Sequence, residues 1–62
     1  MNTHELILAD GKRVTVNPAL VTCFHEAEEG TYIVFMGGGS VTVAESYDSV
    51  TELFNPEQQA GR

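Results

Sequence analysis

Sixty-two residues make one domain, and a chain this short buries only roughly 60% of the surface its unfolded form exposes, so its own core leaves a thin margin of stability. Nine acidic residues against three basic ones give a net charge of -6, which repels phosphate backbones and supplies no basic stripe for a nucleic-acid polymer. The single cysteine excludes an internal disulfide, and no apolar run approaches the ~20 residues that cross a bilayer. A lone thiol without a signal-peptide pattern points to a reducing cytoplasm.

The first apolar segment ends at Asp10-Gly11. A two-residue Asp-Gly loop would mix odd and even positions across the ladder. A three-residue loop, Ala9-Asp10-Gly11, instead pairs Leu8 with Lys12, Leu6 with Val14 and His4 with Val16. It gathers Leu6, Leu8, Val14 and Val16 on one face, with Gly11 in the left-handed position of a bulge. The spacing therefore predicts the three-residue form.

Asn17-Pro18 breaks the ladder, because proline donates no N–H and disfavours helix in the residue before it. A turn over 17–20 and a strand over 21–27 follow. Further turn signals at Glu28-Glu29-Gly30 and Gly37-Gly38-Gly39 divide the rest into short strands. Three-residue loops at both turns place Phe24 opposite Val34 and Val34 opposite Thr42, with Cys23 facing Phe35 and Phe35 facing Val41. On this register Phe24, Tyr32, Val34, Met36 and Thr42 share one face. Cys23, Ile33, Phe35, Val41 and Val43 share the other, with Cys23 in the core.

After Ala44 the period changes. Ser46 suits an N-cap and Asp48 the first helical turn. Tyr47, Val50, Leu53 and Phe54 then fall on one side, before Asn55-Pro56 stops the helix. So short a helix must pack on the sheet to exist. The expected fold is mainly β: an antiparallel five-stranded meander or small barrel with one short C-terminal helix. Residues 1–55 form the single domain and 56–62 a frayed polar tail. The helix can roof one face only, so the face of Phe24, Tyr32, Val34, Met36 and Thr42 is expected to meet another copy or a protein partner.

No catalytic constellation accompanies this pattern. Cys23 and His25 stand two apart on a strand, and with His4 they fall short of the tight ligand pairs of a zinc site, so no metal or other cofactor is expected. Glu26, Glu28 and Glu29 read as a solvated turn rather than two carboxylates held across a cleft, and no serine has a base beside it. Gly37, Gly38, Gly39 and Ser40 lack the lysine and the following helix of a phosphate loop, although successive backbone N–H groups can form an anion nest. Lys12 and Arg13 guard the first hairpin against edge pairing. Brought together by symmetry, these two tips are also the candidate site for a small anionic ligand.

From Asp10 to Phe54, about three-quarters of the chain, the sequence resembles the small FlbD-type proteins of flagellar and swarming-motility systems, which also occur in phage settings. The likeness rests on Asp10-Gly11-Lys12, Val16-Asn17-Pro18 with Leu20-Val21, a glycine-turned hairpin, Val41 and Val43, and Glu45-Ser46 ahead of Val50. It implies a small non-enzymatic β-protein and carries over no catalytic residues. Two functional expectations result. The first is an accessory or regulatory protein acting as a homo-oligomer through protein–protein contacts. The second is a phage-type oligomeric sponge that sequesters a small signalling molecule such as a nucleotide.

Overall fold

The first hairpin forms as its pattern predicts. In a computed structural model describing residues 3–54, β1 (His4–Ile7) pairs antiparallel with β2 (Arg13–Val16), with His4 opposite Val16 and Leu6 opposite Val14. The Leu8 N–H donates to the Lys12 carbonyl at 2.7 Å and the Gly11 N–H to the Leu8 carbonyl at 2.8 Å, closing the three-residue loop. Gly11 takes a φ of +96° there, a conformation that costs glycine little and other L-residues more. The Asp10 carboxylate accepts the Lys12 N–H at 3.0 Å and tightens the turn.

Asn17 caps a single 3-10 turn over Pro18–Leu20, its side-chain oxygen accepting the Ala19 N–H at 3.0 Å. The chain then enters β3 (Val21–Ala27), the strand expected over 21–27. β4 (Gly30–Phe35) and β5 (Ser40–Val43) complete an antiparallel sheet in the order β3-β4-β5.

Both later hairpins depart from the expected loops. Ala27 pairs directly with Gly30, so the β3–β4 connection is the two-residue Glu28-Glu29. Phe24 consequently sits opposite Ile33, and Cys23 opposite Val34. A one-residue slip exchanges the faces of a strand, and here it carries Phe24 inward and Cys23 outward. A bulge between Val21 and Cys23 brings Val21 opposite Phe35. The β4–β5 loop keeps three residues but shifts by one, to Met36-Gly37-Gly38, with the Phe35 N–H donating to Gly39 at 2.8 Å. A two-residue displacement of register leaves the faces of β4 and β5 as expected, with Tyr32 opposite Thr42 and Ile33 opposite Val41.

The five strands form two sheets, of two and three strands, rather than one continuous meander or a barrel. They meet at an isolated bridge between Leu8 and Val43. The Ala9 N–H donates to Thr42 at 2.9 Å and the Ala44 N–H to Ile7 at 2.7 Å. Leu6, Val16, Ile33, Val43 and Val50 form the buried core where the sheets converge.

The helix α1 (Tyr47–Phe54) closes this core. Ser46 caps it as expected, its hydroxyl accepting the Ser49 N–H at 3.2 Å, and Asp48 lies in the first turn. Val50 is fully buried and Phe54 partly so, whereas Tyr47 and Leu53 remain 40% and 37% exposed. The expected four-residue stripe is therefore a deep contact through Val50 flanked by shallower ones. The expected stop at Asn55-Pro56 and the tail 56–62 lie outside the described residues.

Candidate functional site

Two surfaces of the three-stranded sheet differ sharply. Its inner face carries Phe24, Thr31, Ile33, Phe35, Val41 and Val43, with Ile33 and Val43 fully buried. Thr31 is also buried, and its hydroxyl is satisfied by donating to the Glu45 carbonyl at 2.9 Å. Its outer face carries Cys23, His25, Tyr32, Val34, Ser40 and Thr42. The Tyr32 hydroxyl donates to the Ser40 hydroxyl at 2.9 Å, and the Tyr32 and His25 rings lie 5.1 Å apart. Tyr32, Val34 and Thr42 are half-buried while Cys23 is exposed.

Of the five residues expected to share a partner face, the structure keeps Tyr32, Val34 and Thr42 together. Phe24 leaves them for the inner face, moved by the two-residue loop at Glu28-Glu29. Met36 lies in the β4–β5 loop, 67% exposed, and its N–H donates to Leu20 at 2.8 Å. Leu20 is itself half exposed, so an apolar pair stands at that end of the sheet. Cys23, expected in the core, replaces Phe24 on the outer face.

The two candidate ligand tips run toward the same end of the molecule. The Leu8–Val43 bridge is antiparallel, so the Ala9-Asp10-Gly11 turn points along β5 toward Gly37, Gly38, Gly39 and Ser40. Gly37 and Gly38 both take positive φ, of +93° and +101°. Lys12 follows the first turn, and Arg13 reaches back to Glu5 at 3.6 Å in a solvent-exposed pair, a type worth ~0.2–1 kcal/mol. Among the described residues no group of three metal-ligating side chains converges. His4, considered with Cys23 and His25, instead stacks on Phe54 at a centroid distance of 5.9 Å.

A cleft beside the three-stranded sheet has no counterpart in the sequence pattern. Phe24, His25, Glu26 and Tyr47 border a shallow cleft along β3. Phe24 meets Tyr47 at 5.5 Å with planes inclined by 46°, and Phe54 edge-on at 5.6 Å. His25 Nδ1 lies 2.9 Å from the Glu26 carbonyl, which can only accept, so that nitrogen carries the proton of the bond. Sequence reasoning missed this cleft because it assigned Phe24 to the other face.

Compared with protein-family models, curated proteins and solved structures, the chain has no match.

Proposed function

We propose that this chain is a non-enzymatic accessory or regulatory protein that works as a homo-oligomer through protein–protein contacts. The observation that carries the reading is the one-sided roof. Helix α1 and the β1–β2 hairpin pack over the inner face, whereas among the described residues Tyr32, Val34 and Cys23 take no part in the core or in the shell packed on it. Fully burying a side chain such as Val or Leu is worth roughly 1.5–3 kcal/mol, a large share of the total stability of a domain this small. The resemblance of residues 10–54 to FlbD-type proteins supports the non-enzymatic part of this reading.

The inward move of Phe24 makes the proposed interface smaller and more polar than the sequence pattern implies. Its centre becomes Val34 and Tyr32, with Thr42 and Cys23 beside them and Met36 at the margin. Sedimentation at low micromolar concentration tests the reading. An oligomer that Val34→Asp converts to a folded monomer is the expected result, and a monomeric wild type overturns it.

A sponge for a small anionic signalling molecule is the second reading, favoured by the shared direction of the two tips. Thermal-shift screening with cyclic nucleotides tests it. Stabilisation that disappears with Lys12→Ala supports the reading, and its absence across the series removes it.

A further inference from the structure

We propose that the free edge of β3 is a recognition site for a cationic side chain, arginine or lysine, carried on an extended segment of a protein partner. This rests on the protein-contact reading above and adds the chemistry of what is bound.

Among the described residues the edge is open by register. β3 is the outer strand of its sheet. The Phe35 N–H points to β5, so by alternation Tyr32 and Val34 turn their main-chain groups toward β3 and engage His25 and Cys23. The main-chain groups of Phe24 and Glu26 therefore face outward. His25 covers one of them, the Glu26 carbonyl, at 2.9 Å. Among the described residues the Phe24 N–H and C=O and the Glu26 N–H remain for an incoming strand, too short a ladder to hold one unaided.

The cleft beside this edge supplies the missing anchor. Tyr47, 40% exposed, packs against Phe24 at 5.5 Å with planes inclined by 46°, and Phe54 meets Phe24 edge-on at 5.6 Å, so the aromatic side of the cleft is a packed cluster whose exposed ring is Tyr47. An aromatic face attracts a cation through its quadrupole. The exposed Glu26 stands at the rim, and the net charge of -6 favours a positive visitor. Among the described residues the only cations of the chain itself, Lys12 and Arg13, belong to the other hairpin, and Arg13 is engaged by Glu5. The cleft thus has an exposed ring and counter-charge for a cation that its own sheet does not provide.

The probe is a capped five-residue peptide, Thr-Val-Arg-Val-Thr, titrated into the 15N-labelled full chain beside an otherwise identical peptide with norleucine in place of arginine. The expected result is shifts centred on Phe24, Glu26 and Tyr47, with the arginine peptide bound at least about three-fold tighter than the norleucine one. Glu26→Gln, an exposed substitution that leaves the fold intact, removes most of that difference, and Tyr47→Leu does the same. Equal binding of the two peptides, no binding at millimolar concentration, or shifts confined to Tyr32, Val34 and Thr42 overturns the proposal. Sedimentation of the same samples separates the two ideas, because loss of the cation site leaves self-association through the outer face unchanged.

Discussion

A Cβ on Gly30 would overlap the carbonyl oxygen of Val43 and crowd the Ala44 carbonyl group at 2.9 Å. Gly30 opens β4 with a φ of +148°, and the end of β5 passes directly over it. Gly30→Ala therefore combines backbone strain with a main-chain clash that no side-chain rotation relieves. It is expected to cost at least about 2 kcal/mol. Gly11→Ala meets nothing within 4 Å and carries only the roughly 1–2 kcal/mol of a left-handed residue. Urea titration of the two variants measures the difference, and an equal loss would mean that the β5 end yields easily.

That same glycine explains why the middle hairpin is misread from its residues. Gly30 looks like the left-handed residue of a three-residue loop, because nothing in the sequence announces that another strand crosses it. The first hairpin is legible because Leu6, Leu8, Val14 and Val16 leave only one loop length that keeps them together. Asn17-Pro18 and Ser46 are equally legible, since capping is local chemistry. Register across Glu28-Glu29 is not local. Phe24 and Cys23 are both apolar enough for either face, so the pattern alone does not choose between them. The inner face decides, because Phe24 fits between Tyr47 and Phe54, on a helix that begins 23 residues further on. The cleft at Phe24, Glu26 and Tyr47 was hidden for the same reason.

Glu45 acts as a substitute for a strand. Its carboxylate accepts the Ile7 N–H, with oxygens at 3.2 and 3.3 Å, next to the Ala44 N–H that donates to Ile7. The two sheets are thus stitched by one side chain where backbone pairing has ended. Hydrogen bonds to charged groups contribute roughly 1.5–3 kcal/mol, less at a partly exposed site such as this one. Glu45→Ala is expected to lose about 1 kcal/mol and to speed amide exchange at Ile7 selectively. Unchanged exchange at Ile7 would show that solvent serves the amide as well as the carboxylate does.

The helix is seated by one residue. Val50 is completely buried, while Leu53, the larger side chain, is 37% exposed. Val50→Ala removes two methyl groups from a packed site and is expected to cost about 2 kcal/mol once the cavity is included. Leu53→Ala should cost less than half of that. Thermal denaturation of both variants checks the order, and a greater loss at Leu53 would require the helix to be rotated about its axis.

Cys23 reports on the outer face without any substitution near the core. Its thiol is exposed in the single chain and lies opposite Val34, on the face proposed to meet another copy. A thiol in the core would react only when the chain unfolds, whereas an exposed one reacts with an aromatic disulfide reagent in the native state. If Val34 and Tyr32 are covered by a second copy, the rate should fall as protein concentration rises through the association range. It should also become independent of concentration in Val34→Asp. Fast labelling in that variant together with slow labelling in the concentrated wild type locates the contact on this face. Fast labelling at every concentration, in a sample that sedimentation finds oligomeric, moves the contact elsewhere, with the Leu20 and Met36 end of the sheet as the next apolar surface to test.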